Sequence, residues 1–280
     1  MRRLFPLMFA IVLSLPLIAS GADFTYSHYE AVLKRHIKTS VSINNIRLNA
    51  VDYNSLATEA QQPGSNYSML LKELAAFDLL TLQSREEKIA FWVNAYNIGA
   101  IKTIIDHYPV DSIRSKRINW LGQPWGRTVL SVGGKEYSLG EIENDILLDG
   151  FKDLRIHFGI NCASVGCADL LAVPYRAATL FVQLEDQGRK LLMDRKKGMV
   201  TDSEKKTVLL SQIFKFDKKR FDAVGGALAF IKPYLSKLDR SAIEAGGLKL
   251  GYLEYDWNVN DAKNARQSMP PGSGWSKSGR

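Results

Sequence analysis

The stretch from Arg85 to Tyr108 constrains this chain most. Ser84 and Glu87 form a capping box ahead of it, the serine side chain taking the amide at the third helical position and the glutamate reaching back to the serine amide, and Pro109 stops the helix behind it. At 100° per residue, Ile89, Val93, Tyr96, Ala100, Ile101 and Ile104 fill one arc, the pattern of a helix laid on a core. The chain can supply that core. Its 280 residues are 46% apolar and 24% charged, a balance that excludes disordered, collagenous and disulfide-dense proteins.

Around this helix the pattern mixes helices and strands. Apolar spacing predicts helices over Tyr26–Ile37, Tyr67–Phe77 and Ala177–Asp194, with shorter ones near Gln212, Ala227–Leu235 and Arg240–Ala245. Gly133-Gly134 between Thr128–Val132 and Glu136–Ser138 reads as a hairpin, and Val200 with Thr207–Leu210 as another. A second capping box, Ser138 with Glu141, opens a helix to about Leu148. Leu154–Asn161 reads as a buried strand and Leu248–Tyr255 as a closing one. No regular βαβ alternation appears, which predicts an α+β fold: one mostly helical domain with a small, largely antiparallel sheet.

The ends read differently. Arg2 and Arg3, the apolar run Leu4–Ile18 and the small residues Ser20-Gly21-Ala22 have the order of a signal peptide, expected to span 1–22. The product is then expected to be exported, periplasmic or secreted, and no later run is apolar enough for a stable membrane span. A single domain is expected over 23–259, helical at its N-terminal end, and a disordered tail over 260–280, where Pro270-Pro271-Gly272-Ser273-Gly274 falls. Without the two arginines of segment 1–22 the formal net charge falls from +8 to +6, which is modest, and the basic clusters at 189–190, 195–197, 205–206 and 218–220 lack interleaved aromatics, so no nucleic-acid partner is expected.

Polar residues on apolar faces mark the candidate chemistry. Asn97 falls within the buried arc of the long helix and Asn94 at its edge, where an unpaired amide costs about 1–3 kcal/mol. Glu143 lies on the apolar side of its helix, between Leu139 and Leu147, and needs a cation; Arg155 is the nearest in sequence. In a strand, Arg155, His157 and Asn161 share one face with a gap at Gly159, a pocket floor. Cys162 then opens a turn through Ser164 to Cys167, the only other cysteine.

Several roles are open to that pair. Cys162 is a candidate nucleophile, with His157 as base only if the chain doubles back near Gly159, because an extended strand would hold the two about 16 Å apart. His107, and beyond it His28 and His36, are the other candidate bases. A Cys162–Cys167 disulfide competes with this, as do two free buried thiols and, at Cys-x4-Cys spacing, a redox couple. Two cysteines and scattered histidines make no zinc site, and neither a phosphate loop nor a nucleophile elbow is present, so no metal or cofactor is expected.

The segments Phe91-Trp92-Val93-Asn94-Ala95-Tyr96-Asn97, His107-Tyr108-Pro109, Glu141-Ile142-Glu143, Arg155-Ile156-His157-Phe158 and Asn161-Cys162-Ala163-Ser164-Val165-Gly166-Cys167 resemble, in order and spacing, the family called domain of unknown function 547. The likeness covers about 75–215, and Tyr252–Trp257 resembles the C-terminal end of family members. The family carries no assigned activity. Many members have a histidine where this chain has Asn144 and a proline where it has Ala168. Two functions stay in view. One is a thiol-dependent hydrolase or acyl transferase acting on an amide or ester, with Cys162, His157, His107 and Glu143 as candidate catalytic residues. The other is a non-catalytic binding or scaffold domain stapled by Cys162–Cys167, with a polar ligand groove. Asn94, Asn97, Arg155, Asn161 and Ser164 are the expected ligand-binding residues.

Overall fold

A computed structural model describes residues 24–266. Helices α1 (Ser27–His36), α2 (Tyr53–Ala60) and α3 (Asn66–Ala76) lead to α4 (Arg85–Ile105), whose N-terminus carries both bonds of the Ser84–Glu87 capping box. Helix α4 is the axis of the core. Every side chain from Ile89 to Ile101 on it is buried, not one arc only, because helical and strand segments cover it on several sides. A helix apolar all round has no solvent face for a wheel to find.

Before α2 stands a hairpin that sequence patterning did not single out, β1 (Ile37–Ile43) with β2 (Ile46–Val51). Its turn residues Asn44 and Asn45 both have left-handed φ, 52° and 64°, the conformation that asparagine tolerates and a two-residue hairpin requires. The hairpin β3 (Thr128–Val132) with β4 (Lys135–Ser138) follows α4. The reciprocal Ser138–Glu141 bonds then open a π-helix, Glu141–Asp149.

Where a strand was expected over Leu154–Asn161, the chain makes a single helical turn, α5 (Ile156–Gly159). All residues from 156 to 160 are buried, so apolar alternation carried no information about period there. Helix α6 (Leu180–Met193) packs on this turn. After it come β5 (Met199–Asp202), β6 (Thr207–Leu210), α7 (Ile213–Phe216), α8 (Lys218–Asp222), α9 (Ala227–Ile231), α10 (Lys237–Glu244) and β7 (Lys249–Tyr252). The strands form three small sheets, not one: β1–β2, β3–β4 and β5–β6–β7, antiparallel except for the parallel β6–β7 pair. The fold is thus a single α+β domain, more helical than sheet.

The packed chain runs past the boundary expected at Asn260. Asn260 and Asp261 are fully buried, and Arg266 pairs with Ser42 of β1. The expected signal segment 1–22 and the last residues of the expected tail, 267–280, lie outside the described residues. Among the described residues no helix is long and apolar enough to cross a membrane.

Candidate functional site

Two asparagines on α4 set the local architecture. Asn94 donates to the Tyr175 carbonyl and accepts from the Tyr175 amide, both at 2.9 Å. Asn97 donates to the Gly159 carbonyl at 2.9 Å and accepts from the Asn161 amide at 2.7 Å. Each side chain therefore satisfies a donor and an acceptor of irregular backbone buried against the helix. Gly159 is required where Asn97 holds it, since a Cβ there would stand 2.6 Å from Leu184 and 3.2 Å from Val93.

From this clamp the loop 162–167 departs. Asn161 braces it from inside, donating to the Ala168 carbonyl at 2.7 Å and accepting from the Ala163 amide at 2.9 Å. The amides of Val165 and Gly166 donate to the carbonyls of Asn258 and Asp256, and the Asn260 amide donates to that of Ala163, so the C-terminal segment is stitched along the loop. Gly166 permits this approach, because a Cβ would meet Asp256 N and the Tyr255 ring at 3.0 Å. Cys162 and Cys167 are joined as a disulfide, their Cα atoms 6.4 Å apart. The Tyr255 hydroxyl lies 3.3 Å and 3.0 Å from the two sulfurs.

The disulfide forms one wall of a cavity of about 410 Å³. Five aromatic rings line it as well: Tyr96 from α4, Trp125 from the loop before β3, Phe216 at the end of α7, and Tyr255 with Trp257 from the C-terminal segment, with the Arg114 guanidinium over Trp257. Trp125 and Phe216 both meet Trp257, with ring centroids 6.0 and 5.7 Å apart. Ionisable groups line the same cavity. His157 on α5 donates from Nε2 to Asp217 at 2.8 Å, Asp217 also accepts from Arg220 at 3.0 Å, and Glu143 of the π-helix faces the same space with Asn144 beside it.

The environment drives the two carboxyls apart. Burial raises the Glu143 carboxyl above its ordinary range, and Asp217 adds to this, against the opposing pull of His157, the Tyr96 hydroxyl and Arg220. Burial also acts on Asp217, but the hydrogen bond and charge of His157, with Arg220, outweigh it and hold that carboxyl low. Burial pushes the Tyr96 and Tyr255 phenols up, and the Glu143 carboxyl adds to both.

A carboxyl raised on folding favours the fold at pH below its unfolded value, near 4.3, and loses that contribution as pH climbs through the folded value. Glu143→Gln removes the loss. Its melting temperature is expected to match that of the unmodified protein near pH 4 and to exceed it at neutral pH, the gap widening between, as thermal unfolding across that range would record. A gap that narrows with rising pH would contradict the assignment.

The expected site residues divide. Glu143, His157 and both cysteines line the cavity. Asn94, Asn97, Arg155, Asn161 and Ser164 do not line it. The asparagines are used up by backbone groups, as above. Arg155 turns to Asp153 and lies over Phe181, so the groups facing Glu143 are His157 and Arg220. Ser164 packs 3.5 Å from the Cys162 sulfur. His107 bonds the Thr103 carbonyl at 2.9 Å and does not line the cavity; His28 pairs with Asn66 and His36 with Glu59. Asp217 and Arg220 were missed because a charged run reads as solvated surface, and their signal was the unpaired need of Glu143 and His157. Among the described residues no group of His, Cys, Asp and Glu side chains is arranged to hold a metal ion.

Residues 80–192 match a family model described as "Protein of unknown function, DUF547". This span holds both asparagine clamps, Glu143, His157 and the cysteine loop. No curated protein and no solved structure matches the chain.

Proposed function

We propose that this chain, whose residues 80–192 match the family of unknown function, is an exported binding domain whose cavity takes a small, uncharged polar ligand with one flat apolar face. The observation that carries this reading is that one cavity is lined both by five aromatic rings and by several hydrogen-bonding groups. Rings take a flat apolar face, and a few fixed polar groups orient what lies against them. A saccharide ring has such a face, with hydroxyls for Glu143, Asn144, Gln123 and Arg220. Cys162 has no thiol to attack with while its sulfur is bonded to Cys167, and Asn144 puts an amide, which carries no exchangeable charge, into the wall. These observations favour binding over thiol-dependent hydrolysis. A bonded cysteine pair suits an oxidising compartment, which supports export.

Thermal unfolding against a panel of neutral mono- and disaccharides and N-acetylated amino sugars tests the reading. A bound sugar at about a hundred times its Kd is expected to add about 2.7 kcal/mol, or some 5–10 °C. The shift is expected to vanish in Trp125→Ala and in Glu143→Leu. No shift across the panel, or equal shifts in the variants, would overturn it.

A further inference from the structure

From Ser112 to Lys135 the chain holds five cations (Arg114, Lys116, Arg117, Arg127 and Lys135) and no carboxylate. The segment between α4 and β3 is not slack. Ile113 and Ile118 are buried as plugs at 0% and 1% exposure, and backbone bonds from Ile118 and Asn119 to Ser115, and from Gly122 to Asn119, close it into consecutive turns. The Asn119 side chain accepts from the Leu121 amide at 2.9 Å, and Gly122 takes a φ of +66° to complete the reversal.

This turn turns Trp120 and Leu121 outward, 76% and 61% exposed. Among the described residues they are the one pair of consecutive large apolar side chains so exposed. Folded turns with two buried isoleucines could have hidden them; the plugs are taken by Ile113 and Ile118 instead. The neighbouring guanidiniums are braced on neutral groups: Arg117 donates to the Pro109 carbonyl at 2.7 Å, Arg127 to the Ile118 carbonyl, and Arg114 lies 4.9 Å over the Trp257 ring. Lys116 is exposed on the same segment.

An exposed tryptophan and leucine on a segment closed into turns, whose stretch 112–135 carries five cations and no carboxylate, match an interface that is apolar a few ångströms deep and negatively charged at its surface. We propose that this loop docks the protein on an anionic lipid bilayer, Trp120 and Leu121 entering the headgroup–acyl boundary and Arg114, Lys116, Arg117 and Arg127 meeting the lipid phosphates. This is peripheral attachment; the segment also lends Arg114, Gln123 and Trp125 to the cavity, whereas Trp120, Leu121 and Lys116 do not line it. Nucleic acid also attracts cations, but it offers no apolar layer for Leu121, so the bilayer is the better fit.

Co-sedimentation of the whole protein, as recovered from the cells that make it, with vesicles of phosphatidylcholine with or without phosphatidylglycerol tests the proposal. Binding is expected only when phosphatidylglycerol is present and is expected to weaken as salt rises. W120S/L121S is expected to lower vesicle affinity about tenfold or more, because it removes the inserted apolar surface. Lys116→Glu, which breaks no hydrogen bond seen in the fold, is expected to weaken binding to phosphatidylglycerol vesicles while leaving the melting temperature unchanged. All variants share one N-terminal segment, so any contribution from it cancels. Failure of the unmodified protein to bind phosphatidylglycerol vesicles would overturn the proposal. So would full binding by the W120S/L121S variant, or a preference for duplex DNA over the vesicles.

Discussion

Asn97→Leu is expected to cost on the order of 2–6 kcal/mol of unfolding free energy, measured by chemical denaturation, because it orphans two buried backbone groups at about 1–3 kcal/mol each. The Gly159 carbonyl and the Asn161 amide have no other partner among the described bonds, and both lie where water does not reach. Leucine keeps the branched skeleton and heavy-atom count of asparagine, so no cavity opens; its bulkier methyl groups add an overpacking cost of about 1–3 kcal/mol. With domains stable by about 5–15 kcal/mol, the variant would stand near the edge of folding. A cost below about 1 kcal/mol would show that this turn finds other partners and that the clamp is dispensable.

Lys197→Met is expected to cost about 3–5 kcal/mol, for a different reason. Lys197 and Asp169 are 4% and 3% exposed, paired at 2.5 Å, and the ammonium also donates to the Cys167 carbonyl at 2.9 Å. Methionine keeps the stem and deletes the charge. Asp169 then keeps only the half-exposed Lys190, 2.7 Å from its other oxygen, and the cysteine loop loses the bond that fixes its end. Replacing both partners with apolar residues is expected to recover most of the loss, since a buried pair contributes little beyond the cost of breaking it. Lys197→Met with Asp169→Leu should thus be more stable than Lys197→Met alone. If the double variant is the weaker of the two, the pair is worth more than its desolvation and this account of it fails.

The sequence made the local features legible and hid the distant ones. Both capping boxes, the helix α4, two of the hairpins and the α+β class follow from patterns confined to a few neighbouring residues. The stretch 154–161 misled because a fully buried turn has no polar side to give its period away. That error carried into the site. A strand would have put Arg155, His157 and Asn161 on one face, whereas the helical turn sends Arg155 to Asp153, His157 to Asp217 and Asn161 into the cysteine loop. Glu143 was legible as a carboxyl out of place on an apolar face. Its actual neighbours were not, since Asp217, Arg220 and Tyr255 stand far along the chain and only the packing of α7, α8 and the C-terminal segment brings them to it. The two α4 asparagines were legible as polar groups needing partners, and the partners are backbone groups from two separate loops.

The reading of the cavity as a binding site depends on its sulfur wall being closed. Alkylation of the native protein before and after reduction, followed by mass spectrometry of the peptide carrying Cys162 and Cys167, examines that directly. The expected result is no label on either cysteine before reduction and one label on each after it. Rapid labelling of Cys162 in the unreduced native protein would contradict it, and would return Cys162, with His157 across the same cavity, to the role of nucleophile and base.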